Sequence, residues 1–89
     1  MKEIQLITLK LCPYCKKAKR HLKQLQKEEK YKDIKVQIID EKKESHLVKD
    51  YNDYYYVPAL YVDKVKYHEG VLSIEILKKL FDEVIDEAF

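Results

Sequence analysis

Both cysteines of the chain fall in one short turn, Cys12-Pro13-Tyr14-Cys15, and the residues on either side of it restrict what can form there. Upstream, Ile4, Leu6 and Leu9 interleave with Gln5 and Thr8, which predicts a strand over 3–9. Ile7 breaks the alternation, as in a strand covered on both faces. Downstream, Cys15, Ala18, Leu22 and Leu25 recur at three- and four-residue steps, one face of a helix running to about Glu29. Pro13 suits the first helical position, where the N–H it lacks would have no helical partner. A Cys-x-x-Cys at a strand-to-helix turn has the form of a redox-active dithiol.

The remaining elements follow in order. Ile34, Val36, Ile38 and Ile39 read as a second, β-branched strand. Leu47, Val48 and Tyr51 stand at helical spacing and predict a short helix over 45–52, with Asn52-Asp53 as its stop. Ala59–Val62 and Val65–His68 are two short strands joined by Asp63-Lys64, hence an antiparallel hairpin. Gly70, the single glycine, is expected where the backbone needs a conformation other residues resist. Ser73 is placed to cap a last helix, whose buried stripe is Ile74, Leu77, Leu80, Phe81, Val84, Ile85 and Ala88. Asp82, Glu83, Asp86 and Glu87 crowd the end of that helix, against its dipole. A βαβ unit followed by ββα predicts an α/β fold: a four-stranded mixed sheet with helices on both faces.

Bulk properties narrow the function. With 89 residues the chain is expected to form a single domain over 1–89. A net charge of +2, from 18 basic and 16 acidic residues, is too small to argue for nucleic acid. No apolar run approaches the ~20 residues of a membrane helix, and the first ten residues lack a signal-peptide core. The expected location is therefore the cytoplasm, where thiols stay reduced and a cysteine pair serves catalysis or metal binding.

The element order, with Cys12-Pro13-Tyr14-Cys15 after the first strand and Val57-Pro58 before the third, resembles the thioredoxin superfold, and within it the dithiol glutaredoxins. The basic run Lys16-Lys17-Ala18-Lys19 is in keeping, and Gly70 matches the second glycine of the family's Gly-Gly pair. The resemblance spans the chain. It implies that Val57-Pro58 is a cis bond against the cysteine turn, and that the Val57 backbone pairs with glutathione or an extended peptide as an added strand. It also implies substrate contacts from Tyr14, Tyr56, Lys10, Pro58 and Gly70. The chain departs from the family pattern at Tyr56, where threonine is usual, at Glu69, in place of the first glycine, and at Leu9, where a lysine is usual.

The residues themselves support thiol chemistry. Cys12 at a helix start faces unpaired N–H groups and the positive end of the dipole, which favour S⁻. Lys10, Lys16, Lys17, Lys19 and Arg20 add cations with no acid among them. Cys15, one turn in, is expected to stay a thiol until it attacks a mixed disulfide on Cys12. Together with this chemistry, the resemblance implies a thiol–disulfide oxidoreductase reducing protein or glutathione mixed disulfides. It would act as a monomer with no tightly bound cofactor and no metal, using glutathione or another small thiol as co-substrate. Two alternatives stay open. One is a thioredoxin-like carrier served by a thioredoxin reductase. The other is a non-catalytic module holding metal, an iron–sulfur cluster or a partner. For zinc, His21, His46 and His68 are available, but a closed site needs four ligands.

Overall fold

A computed structural model describes residues 3–51 and 53–86. It contains β1 (Ile4–Thr8), α1 (Pro13–Gln26), β2 (Val36–Asp40), α2 (Ser45–Val48), β3 (Ala59–Val62), β4 (Val65–Glu69) and α3 (Ile74–Ile85). The four strands form one mixed sheet in the order β2-β1-β3-β4. β1 runs parallel to β2 and antiparallel to β3, in registers Leu6↔Ile38 and Leu6↔Leu60. The βαβ crossover and the hairpin expected from the sequence are both present.

Two cores flank the sheet. On one face Ala18, Leu22 and Leu25 of α1 and Leu77, Leu80, Phe81 and Val84 of α3 pack on Ile4, Leu6, Leu60 and Val62. On the other, Ile7, Ile39, Ala59 and Tyr61 meet Leu47, Val48 and Tyr51. Each large apolar side chain buried this way contributes roughly 1.5–3 kcal/mol. β1 is buried at all five positions, Gln5 and Thr8 included, because it is central and covered on both faces. Thr8 meets the cost of burial by donating its hydroxyl to the Ile39 carbonyl, at 3.3 Å.

Several boundaries differ from expectation. β1 stops at Thr8, one residue short of Leu9. α1 ends at Gln26, and the chain then makes a single 3₁₀ turn, Glu29–Tyr31, which drops Tyr31 into the first core. Tyr31 stacks edge-on against Phe81 (5.5 Å between centroids) and hydrogen-bonds Asp82 through its hydroxyl. β2 starts at Val36: Ile34 is buried ahead of the strand, and Ile38 is exposed because β2 lies at the sheet edge. α2 is a single turn ending at Val48, although Leu47, Val48 and Tyr51 all reach the second core. β4 extends one residue further, to Glu69.

Ser73 caps α3 as expected, accepting from the Ile76 N–H at 3.2 Å. Ile85, expected in the buried stripe, is exposed, because α3 finishes there beyond the edge of the core. Asn52, Glu87 and Ala88 lie outside the described residues. The acidic end of α3 has structural work: Asp82 accepts from Tyr31 and lies 3.6 Å from Lys30, while Glu83 accepts from the Tyr67 hydroxyl at 3.5 Å.

The β3–β4 turn has positive φ at both central residues, Asp63 (49°) and Lys64 (68°), as a type I′ hairpin requires. Asp63 is also bound across the sheet, its carboxylate accepting from the Glu3 N–H at 2.8 Å. Left-handed backbone costs a non-glycine residue roughly 1–2 kcal/mol. Part of that returns as glycine's larger unfolded-state entropy, roughly 0.5–1 kcal/mol. The exposed Lys64–Asp50 pair, at 3.8 Å, contributes little. Lys64→Gly is therefore expected to stabilise the fold by about 0.5–1 kcal/mol. A thermal melt checks this by a rise of a few degrees, and a fall in Tm would count against the turn geometry.

Candidate functional site

The site lies where β1 hands over to α1. Cys12 is the N-cap of α1, with extended backbone (φ −105°, ψ 112°), and Pro13 opens the helix. Because the capping atom is a sulfur, Cys12 Sγ takes the place of the usual cap oxygen and accepts the Cys15 N–H at 3.1 Å. The Cys12 carbonyl accepts from the Lys16 N–H at 3.1 Å, the first full helical bond. Both cysteines are thiols. Cys12 is partly exposed, whereas Cys15 is 1% exposed and packed beneath it. The Cys15 thiol is pushed up to about 12, first by burial and then by its hydrogen bond with Cys12 and the negative potential of that sulfur.

The opposite wall is the segment before β3. The Val57–Pro58 peptide is cis, and the Val57 carbonyl accepts from Cys12 Sγ at 3.9 Å. Pro58 is buried, and its carbonyl accepts the Gly70 N–H at 2.9 Å, which ties the end of β4 to the site. Gly70 has φ +89°, a conformation L side chains resist, although a Cβ there would meet no atom within 4 Å. Its requirement is therefore conformational and not steric.

A cleft of about 290 Å³ opens beside Cys12, lined by Leu9, Lys10, Leu11, Cys12 and Lys42. Lys10 thus lines the cleft beside Cys12. Lys42 was not anticipated, since nothing sets it apart within a charged run. It arrives there because Asp40 folds the β2–α2 turn, accepting the Lys42 and Lys43 N–H groups at 3.0 and 2.9 Å. Those bonds, that of Lys43 foremost, hold the Asp40 carboxyl below the usual carboxylate range. The Glu41 N–H donates to the Thr8 carbonyl at 2.9 Å, fixing the turn to the end of β1.

The aromatic candidates flank the site without bonding the sulfur. Tyr14 is 50% exposed, with Lys17 Nζ 5.9 Å from its ring centroid. Tyr56 is 68% exposed. Glu69, noted in the sequence only as a departure from pattern, also belongs here. Its carboxylate accepts from the Tyr55 and Tyr56 N–H groups at 2.7 and 3.0 Å and from Lys66 Nζ at 2.9 Å. The Lys66 bond first, then the two amides, draw the Glu69 carboxyl down to about 2. His68 is structural, its Nε2–H donating to the Val71 carbonyl at 2.9 Å. Among the described residues, no three His, Cys, Asp or Glu side chains converge to hold a metal ion. Among them, no helix is long and apolar enough to cross a membrane.

A β2-β1-β3-β4 sheet, a Cys-x-x-Cys pair opening the first helix and a cis-proline facing it together define a thioredoxin-fold protein. The chain is similar in structure to the oxidised thioredoxin of Plasmodium falciparum, with a TM-score of 0.71 at 16% identity over 94% of this chain and 81% of that one. It is also similar to a designed protein whose backbone chemical shifts have been assigned, with a TM-score of 0.66 at 18% identity over 100% of this chain and 77% of the other. The glutaredoxin family model matches residues 4–66, and the chain belongs to that family. It is, in general terms, a thiol–disulfide oxidoreductase. No curated protein matches it.

Proposed function

We propose that the protein reduces mixed disulfides between glutathione and proteins, with Cys12 as nucleophile and Cys15 as resolving thiol. The observation that carries this reading is the Cys15 N–H donated to Cys12 Sγ at 3.1 Å, at the N-terminus of a fourteen-residue helix. That donor and the helix dipole favour negative charge on the Cys12 sulfur. The Cys12 thiolate attacks the glutathione sulfur of the substrate. The new S–S bond joins Cys12 to glutathione, and the protein thiolate leaves and takes a proton. A second glutathione thiolate then attacks the glutathione sulfur, releases glutathione disulfide and restores Cys12. Alternatively Cys15 loses its proton and attacks Cys12 Sγ, expelling glutathione thiolate and leaving a Cys12–Cys15 disulfide for two further glutathione molecules to reduce.

Substrate is held by residues on both walls. Val57 offers its backbone to an extended peptide or to glutathione as an added strand. Lys10 and Lys42 offer charge-assisted hydrogen bonds to a glutathione carboxylate in the cleft beside Cys12. The reaction belongs in a reducing compartment such as the cytoplasm. A glutathionylated peptide supplied with glutathione as reductant tests the proposal, and multiple turnovers are expected. A protein that ignores glutathione but accepts electrons from a thioredoxin reductase would overturn the choice of electron donor.

A further inference from the structure

We infer that Glu69 is the positioning residue of the substrate-side wall, clamping residues 55–57 through the backbone so that Val57 stands fixed opposite Cys12. The inference rests on the reading above for what the wall binds, but its geometry is independent of it. The three residues before Pro58 lie in no helix or strand; Val57 packs on the second core, but Tyr55 and Tyr56 are 88% and 68% exposed, so side-chain burial does little to order those two. Glu69 Oε2 instead accepts both of their N–H groups, at 2.7 and 3.0 Å. Such bonds to a charged acceptor are stronger than neutral ones.

The carboxylate is itself fixed. Glu69 is the last residue of β4, and its Oε1 accepts from Lys66 Nζ at 2.9 Å. Lys66 Nζ donates as well to the Asp53 carbonyl at 2.8 Å, so the same ion pair anchors the start of the loop. From Asp53 to Tyr56 the loop is thus held to β4 by hydrogen bonds that converge on one Lys–Glu pair. At the far end, Gly70, the next residue, binds the Pro58 carbonyl. The loop is therefore pinned on both sides of Val57, whose carbonyl meets Cys12 Sγ. A second consequence concerns recognition. With the Tyr55 and Tyr56 N–H groups taken by Glu69, neither is free to pair with an incoming strand, which confines backbone recognition to Val57.

The test uses the full chain and three variants, Glu69→Ala, Glu69→Gln and Lys66→Ala, read by backbone order parameters and by kinetics on a glutathionylated peptide. In the wild type, residues 55–57 should show order parameters of about 0.85, falling below about 0.6 in Glu69→Ala while Leu6 and Leu60 stay rigid. If the competent loop conformation drops to about a tenth of the population, KM rises about tenfold with kcat little changed. Glu69→Gln retains an acceptor oxygen and should recover part of the wild-type KM. Lys66→Ala keeps both amide bonds, is the milder change should Glu69→Ala unfold, and should raise KM by less. Unchanged order in Glu69→Ala would overturn the inference, as would lost order with an unchanged KM, or a fall in kcat at constant KM. Should the wild type turn over no mixed disulfide, the proposed function fails, and the order parameters alone decide the clamp.

Discussion

Cys12→Ser is expected to abolish turnover of every disulfide substrate, whereas Cys15→Ser is expected to abolish only part of it. A serine at position 12 keeps the cap, because its oxygen can accept the Cys15 N–H as the sulfur does. Among the described residues no side-chain base hydrogen-bonds this position, so the variant folds but cannot form the covalent intermediate. A drop of at least about 10³-fold is expected, given that loss of a covalent nucleophile costs up to about 10⁶ in other enzymes. Cys15→Ser leaves the Cys12 sulfur, its amide donor and the Val57 wall in place. Glutathione mixed disulfides should still turn over, since a second glutathione resolves them. Protein disulfides, which need a resolving sulfur within reach, should instead trap the protein as a stable mixed disulfide visible by non-reducing electrophoresis and mass spectrometry. Equal loss in both variants on a glutathionylated peptide would remove the division of labour between the two sulfurs.

The sequence disclosed the parts of this site that depend on local order. The Cys-Pro-Tyr-Cys turn, the α1 stripe of Ala18, Leu22 and Leu25, and the Ser73 cap each need only a few neighbouring residues to be recognised, and each stands where expected. Residues whose role is set by distant partners were hidden. Tyr31 is a core residue because Phe81 and Asp82, some fifty positions later, receive it. Lys42 reaches the site only because the Asp40 turn docks on Thr8, and its sequence neighbours are equally charged. Glu69 looked like a lost glycine, and its function appears only once β4 is paired with β3 and the tyrosine loop lies beside it. The edge position of β2 likewise cannot be read from a β-branched run, yet it decides that Ile38 faces solvent while Ile39 is buried.

Cys15 is expected to resist alkylation at pH 7 by at least about fiftyfold relative to a free cysteine, leaving Cys12 to take the first equivalent of iodoacetamide. A thiol at about 12 instead of 9.0 carries about 1,000-fold less thiolate at neutral pH. The remaining thiolate is more nucleophilic, by roughly 10^0.4–10^0.5 for each pKa unit, which recovers about twentyfold. Burial at 1% exposure slows it further. Mass spectrometry of the two cysteine-containing fragments after timed labelling checks this, and equal labelling of both would contradict the arrangement. The folded chain holds this proton longer than the unfolded one. The contribution to stability is therefore fully present below about 9 and is lost as pH climbs towards about 12. The causes of the shift also order the reaction. Burial is permanent, but the hydrogen bond with Cys12 and the negative potential of its sulfur end once that sulfur is tied into a mixed disulfide. Forming the intermediate thus removes the lesser part of the upward push on Cys15, so the resolving thiol ionises more readily when there is a mixed disulfide to resolve.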